Sequence, residues 1–130
     1  YRLRFSITPD AENTVASIIL RLDSDENNTF AGASSRGYQL IFNFPYRLLH
    51  VREHYVWDQR PDLACIVIPD APTCQVDILL NGDILEVVLN EKESVIYRLM
   101  KYPSGKLALN IADGGVQLKN WRMDTLPNAT

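Results

Sequence analysis

The stretch NGDILEVVLNEKESVIYRL (81–99) decides the fold class of this chain. Two runs rich in β-branched residues, ILEVVL (84–89) and VIYRLM (95–100), flank the polar spacer NEKE (90–93). Runs of this composition are typical of strands, whereas a helix through the segment would place Glu91 and Lys92 beside apolar neighbours without a consistent apolar stripe. The stretch therefore predicts a β-hairpin with a four-residue loop.

The same two-residue period recurs on both sides of this hairpin. RLRFSIT (2–8), RGYQLIFNF (36–44) and CQVDILL (74–80) alternate apolar and polar residues, which is the pattern of half-buried strands. Turn-forming segments separate them from further predicted strands at 15–22, 46–51, 63–68, 106–111 and 116–123. Ten short strands and no convincing helix predict an all-β sandwich or barrel. The segment 48–63 has no clean period, and we expect an elaborated loop there.

Length and charge restrict the class of protein. At 130 residues, with 46% hydrophobic and 22% charged residues, the chain fits one globular domain spanning 1–130. A net charge of -3 argues against a nucleic-acid partner, which would favour a basic face. No apolar run approaches the roughly 20 residues that a membrane span requires. Because the chain starts at Tyr1 instead of Met, we expect it to be a module of a longer protein.

The two cysteines, Cys65 and Cys74, fit no metal or redox motif by their spacing. If the strands that carry them paired around the turn PDAP (69–72), the two sulfurs could face each other and form a disulfide. The alternative is two ordinary buried thiols.

The richest cluster of functional groups is HVREHYVWDQR (50–60). Sugar sites combine such groups, because aromatic faces stack on sugar rings while charged side chains hydrogen-bond to vicinal hydroxyls. The alternative is a polar loop whose aromatic residues cover the end of the core. The candidate ligand-binding residues in this cluster are Arg52, Glu53, Tyr55, Trp57, Asp58 and Arg60, with Trp57 or Tyr55 as the stacking platform.

Metal and catalytic sites find little support in the sequence. His50 and His54 have the spacing of ligands on a helix, but no firm helix and no third ligand accompany them. DSDEN (23–27) resembles a fragment of a calcium loop without the spacing of an EF-hand, so a solvated turn is the preferred interpretation. No nucleophile motif or phosphate-binding loop is present. We expect no cofactor and no catalytic residue.

Trp121, in VQLKNWRM (116–123), adds a candidate outside this cluster. Strict alternation would place it on the opposite face from Val116 and Leu118. It could then serve as a sugar platform or be covered by a neighbouring domain. A β-bulge that returns it to the core is the third interpretation.

The order of the later segments resembles the C-terminal β-sandwich of glycoside hydrolase family 32, the invertases and fructan hydrolases. LEVVLN (85–90) stands where that domain has its Val-Glu-Val run, and the strand at 95–100, the strand at 107–111, Gly114-Gly115 and the strand from Val116 follow in the same order. The resemblance implies a concanavalin-like jelly-roll sandwich of two antiparallel sheets. The fructan-binding module called carbohydrate-binding module family 66 has the same fold.

The resemblance also implies a function. The family's catalytic propeller motifs, such as Asn-Asp-Pro-Asn, are absent, so the expected role is non-catalytic binding of fructose-containing glycans of the levan or inulin type. The implied partners are such a glycan and a catalytic domain of the same polypeptide, in a secreted or periplasmic system. Two rivals share the fold: a structural domain that packs on a catalytic propeller or mediates dimer contacts, and a laminin-G-like protein-binding domain.

Overall fold

Ten antiparallel strands make up the computed structural model, which describes residues 1–23, 36–55, 61–98 and 106–125. Among these residues there is no helix that is long and apolar enough to cross a membrane. All ten strands predicted from the sequence are present. They are β1 Arg2–Pro9, β2 Val15–Asp23, β3 Arg36–Asn43, β4 Leu48–Tyr55, β5 Asp62–Val67, β6 Cys74–Asn81, β7 Ile84–Leu89, β8 Glu93–Arg98, β9 Lys106–Asp113 and β10 Val116–Asp124.

The strands form two five-stranded sheets. Sheet A has the order β10-β1-β6-β7-β8, and sheet B has the order β5-β4-β3-β2-β9. Where the side chains are described, alternate residues of the strands face the space between the sheets, where a single apolar core forms. Phe42 from sheet B meets the ring of Phe5 from sheet A edge to face, with the ring centroids 6.5 Å apart. The predicted fold, a jelly-roll sandwich of two antiparallel sheets, is confirmed.

The hairpin that decided the fold class is present with a shorter loop than predicted. β7 pairs with β8 from Leu89↔Glu93 onward, which leaves three loop residues, 90–92, and makes Glu93 part of the strand. Asn90 and Glu91 adopt positive φ angles of 50° and 58°, which tighten the turn. The Asn90 side chain accepts a hydrogen bond of 2.6 Å from the Gln75 backbone, so the loop is also tied to β6.

The expected long loop at 48–63 is wrong, because most of it is strand. β4 extends to Tyr55, and β5 begins at Asp62. The alternation of apolar and polar residues along β4 is interrupted at Glu53. This residue pairs with the buried Tyr38 and so occupies a position on the inner face, where an apolar residue is usual. A polar residue at an inner position breaks the alternation in the sequence without breaking the strand.

The disulfide that the sequence left open is absent. β5 belongs to sheet B and β6 to sheet A, so the PDAP turn connects two sheets and the strands around it do not pair. Cys65 is an exposed free thiol on β5, and Cys74 is a buried free thiol on β6. The second interpretation, two unpaired thiols, is thus correct, although only one of them is buried.

Trp121 follows the third of its predicted alternatives, the β-bulge. The register between β1 and β10 shifts between Arg4 and Ser6, and Asn120 has a positive φ of 57°. The extra residue turns the Trp121 ring onto Phe5, with the centroids 5.1 Å apart and the planes 25° apart. Because β10 is the edge strand of sheet A, 44% of Trp121 stays exposed.

Candidate functional site

A cluster of polar side chains occupies the outer face of sheet B where β3, β4 and β5 lie side by side. His50 of β4 stands opposite Cys65 of β5, and Arg52 of β4 stands between Gln39 of β3 and Asp62 of β5. We call these five residues the β3–β5 face. Since β4 alternates, its apolar residues between these positions point into the core while His50 and Arg52 point outward.

A β-bulge in β5 sets the position of the acidic member of this face. The pairing of β4 with β5 shifts between Val51 and Arg52, so that Ala64 pairs with Val51 while Asp62 pairs with Arg52. Leu63 is the extra residue, and it packs against the core. The bulge thereby turns the Asp62 carboxylate to the outer face beside Arg52, and bulges often re-aim side chains in this way.

The Asp62 carboxylate is shared by two basic side chains. Arg52 Nε donates to Oδ1, and His50 Nδ1 lies 2.9 Å from Oδ2. The side chain of Asp62 is 33% exposed, that of Arg52 is 21% exposed and that of His50 is 13% exposed. The group is therefore accessible from solvent but held by the sheet, and each partner fixes a different carboxylate oxygen.

This arrangement keeps Asp62 ionised. Burial by itself would raise the pKa of the Asp62 carboxyl, but the hydrogen bonds from Arg52 and His50 and their positive charges outweigh burial, and the pKa lies below its ordinary value. The neighbouring Cys65 behaves in the opposite sense. Burial, followed by the negative charge of Asp62, raises the pKa of its thiol.

The polar surface continues across sheet B from the β3–β5 face. The Gln39 amide donates a hydrogen bond of 2.9 Å to the hydroxyl of Ser17 on β2. Ser17 itself is buried, with 4% of its surface exposed. A ligand lying across the strands would thus meet a carboxylate, a guanidinium, an imidazole and an amide held on neighbouring strands.

The outer face of sheet A is also polar but is built differently. Arg2 binds both oxygens of Asp77, at 3.0 and 2.5 Å, and Asp124 binds Arg4 and Arg122. A shallow groove of about 680 Å³ lies beside these pairs. Hydrogen bonds from their arginines lower the pKa of the Asp77 and Asp124 carboxyls. The positive and negative groups of this face therefore stabilise one another.

Besides the groove on sheet A, a cleft lies at one end of the sandwich among the loops. This cleft of about 770 Å³ is lined by the β1–β2 loop, Phe44, Arg47 and the segment after β5. The Arg47 guanidinium contacts the Pro69 carbonyl oxygen and lies 3.9 Å from Asp70. Its basic group is therefore used to hold the loops together.

The structure divides the residues that the sequence grouped as a sugar site. Arg52 belongs to the β3–β5 face, while its neighbour Glu53 lies on the opposite side of β4. Trp121 lies on sheet A, away from β4. Tyr55 ends β4, but its side chain, like Trp57, Asp58 and Arg60, lies outside the described residues. The same holds for His54 as a metal ligand and for most of the DSDEN segment.

Sequence reasoning missed three members of the β3–β5 face: Gln39, Asp62 and Cys65. Gln39 and His50 occupy the outer positions of alternating strands, so the register of β3 with β4 would have brought them together. Asp62 could not be found in this way, because the bulge in β5 inverts the alternation at Leu63. Cys65 was considered only as a disulfide partner of Cys74 or as an ordinary buried thiol, because its place opposite His50 depends on the register of β4 with β5.

Comparisons with known proteins support the fold. No family model and no curated protein sequence matches the chain. Among solved structures it is similar to the carbohydrate-binding module CBM66 from Bacillus subtilis, at 16% identity and a TM-score of 0.63 over 92% of this chain and 71% of that one. It is also similar to galectin LEC-6 of Caenorhabditis elegans, at 15% identity and a TM-score of 0.62, over 90% of this chain and 76% of that one. Congerin II liganded with lactose and MES is similar at 13% identity and a TM-score of 0.62, over 95% of this chain and 90% of that one.

Proposed function

We propose that the protein is a non-catalytic carbohydrate-binding module and that the glycan lies on the β3–β5 face. The observation that carries the proposal is the Asp62 carboxylate, fixed by Arg52 and His50 on the outer face of sheet B. A carboxylate offers about four acceptor positions, and these two partners use two of them. The other positions suit the vicinal hydroxyls of a sugar ring, which are donors in fixed geometry.

The surroundings of Asp62 also suit a sugar. The hydrogen bonds to ionised groups in this cluster are of the stronger, charge-assisted type, and such a site is set before the ligand arrives because β4 and β5 hold it. Gln39 extends the polar surface by one strand. The likeness in fold to CBM66 and to galectins supports the same class of ligand.

The finer proposal is that the glycan is a fructan of the levan or inulin type. It rests on the sequence resemblance to the family 32 sandwich and on the likeness to CBM66. The module would then act beside a catalytic domain of the same polypeptide, outside the cytoplasm. Because the congerin II structure was determined with lactose, a β-galactoside is the alternative ligand to test.

One observation favours the rival role of a structural domain that packs on a neighbour. Trp121 and Met123, on the edge strand β10, are 44% and 51% exposed. Both stand in the inner register of sheet A beside Phe5 and Leu3, so they would extend the core if another domain covered that edge.

Isothermal titration calorimetry of the chain against fructose, levan, inulin, lactose and xylan and cellulose oligomers tests the proposal. The conservative variant Asp62→Asn keeps the shape and removes the charge, and Asp77→Asn makes the same change on sheet A. Fructan binding that only Asp62→Asn weakens would support the full proposal, and binding of lactose alone would replace the fructan by a galactoside. Folded protein that binds no glycan would overturn it in favour of the structural role.

A further inference from the structure

We propose that His50, Asp62 and Cys65 form a binding site for a divalent transition-metal ion of the zinc class. This site goes beyond the proposed function and does not depend on it. Nδ1 of His50, a carboxylate oxygen of Asp62 and Sγ of Cys65 all lie within 4.8 Å of one another. Within the described residues, no other three His, Cys, Asp or Glu side chains come together in this way.

Two of the three distances between the ligand atoms are close to those of tetrahedral coordination. Two ligand atoms bound to one tetrahedral zinc ion are about 3.3–3.6 Å apart, given bond lengths of about 2.0–2.3 Å. The Cys65 Sγ and the His50 Nδ1 are separated by 3.8 Å, and the His50 Nδ1 and the Asp62 Oδ2 by 2.9 Å. Side-chain movements of a few tenths of an ångström would bring these two pairs to coordination distance. The Asp62 oxygen and the Cys65 Sγ, which lie within 4.8 Å of each other, would have to approach by up to about 1.2 Å.

The ligand set selects the class of ion. A thiolate and an imidazole prefer zinc and its neighbours among the transition metals, whereas calcium and magnesium prefer oxygen ligands. Three protein ligands leave the fourth position to water or to another molecule, because all three lie on the outer face of the sheet.

Arg52 has a positioning role in this site. Its Nε binds Oδ1 of Asp62, while Oδ2 is the oxygen that lies next to His50. An outer partner that holds the second oxygen of a metal-binding carboxylate fixes its orientation, as is common around metal ligands. His50 and Cys65 are placed directly opposite each other by the pairing of β4 with β5, so two of the ligands are fixed by backbone register.

Metal titration in the absence of any glycan tests this inference. The reduced, chelator-treated protein is titrated with zinc against a chromophoric competitor, and with cobalt to detect the thiolate-to-cobalt charge-transfer band. We expect one equivalent to bind with that band, and Cys65→Ser, His50→Gln and Asp62→Asn each to lower affinity about tenfold or more. Asp83→Asn, which removes a half-exposed carboxylate that pairs with Arg98 at the β6–β7 turn, serves as the control and should have no effect.

Two outcomes would overturn the site. One is that the folded wild-type protein binds neither ion at micromolar concentration. The other is that an ion binds without the charge-transfer band and with unchanged affinity in Cys65→Ser. Because glycan titrations are performed with chelator present, a failure of metal binding leaves the sugar proposal untouched, and the reverse also holds.

Discussion

The outer faces of the two sheets show how similar sequence patterns produce different surfaces. On sheet A, Arg2 binds both oxygens of Asp77, and the Asp124 carboxylate is shared by Arg4 and Arg122. On sheet B, one carboxylate is shared by an arginine and a histidine, with a thiol beside them. These polar groups of sheet A are arginines and carboxylates that bind one another, whereas those of the β3–β5 face also include an imidazole, a thiol and an amide. The two faces therefore differ in the chemical types of side chain that they carry and not in whether they are polar.

The largest expected contrast between the faces concerns the two thiols. Burial raises the pKa of Cys74, on the inner side of sheet A, to about 11, so about one molecule in a thousand is a thiolate at pH 8. Cys65 is exposed on the outer face of sheet B. We expect Cys65 to react with a thiol reagent about 100-fold faster than Cys74, because the buried thiol also requires local opening.

Stopped-flow or timed labelling followed by peptide mass spectrometry measures both rates. Cys65→Ser should abolish the fast phase and leave the slow one. Equal rates for the two thiols in folded protein would contradict the assignment of Cys65 to an accessible face.

The second contrast is in glycan affinity. Asp62→Asn should weaken binding about 10- to 100-fold, because a hydrogen bond to a charged group contributes about 1.5–3 kcal/mol. Asp77→Asn should leave affinity unchanged, since that carboxylate belongs to sheet A and lies away from the β3–β5 face of sheet B. Calorimetry with the best ligand of the panel measures both. If Asp77→Asn were the damaging variant, the site would belong on sheet A.

A third contrast concerns the two tryptophans that the sequence proposed as platforms. Trp57→Ala should lower glycan affinity about fivefold, the effect of losing roughly 1 kcal/mol of stacking. Trp121→Phe keeps an aromatic ring on Phe5 and should bind glycan as the wild type does. Titration of both variants decides the matter, and the opposite result would make Trp121 the platform.

The sequence predicted the fold more completely than the site, and the reason is physical. A period of two survives in any strand with one buried face, so residues 74–89 could be assigned from composition alone. The site depends on which strands are neighbours and on one bulge, and neither leaves a local signal. Arg52 was identified because it lies in an unusual cluster, whereas Asp62 required the register shift at Leu63. Glu53 was misplaced because the strand sends consecutive residues to opposite faces.

The two faces should respond to acid in the same sense. The folded-state pKa values of Asp62 and Asp77 are depressed, so both carboxylates stabilise the fold above the unfolded value near 3.9, and this stabilisation is lost as the pH falls through the folded values. Each contribution should stay below about 1 kcal/mol because water screens partly exposed pairs.

Urea unfolding from pH 7 down to pH 2.5 measures this loss. Asp62→Asn and Asp77→Asn should each flatten the decline, since an amide has no proton to gain there. If neither variant altered the slope, the acid sensitivity would have to arise from other carboxylates.

The smallest effect compares one ion pair from each sheet. Arg98, at the end of β8, and Asp83, in the turn between β6 and β7, are 69% and 49% exposed although their atoms are 2.7 Å apart. Their coupling in a double-mutant cycle should be below about 0.5 kcal/mol, because mobile exposed side chains lose entropy when they pair. Arg52 and Asp62 are 21% and 33% exposed and are held between strands, so their coupling should reach about 1 kcal/mol. Urea unfolding of the single and double alanine variants gives both values. Equal couplings would mean that the β3–β5 face is no more rigid than an ordinary surface, and preorganisation of Asp62 would then no longer support ligand binding.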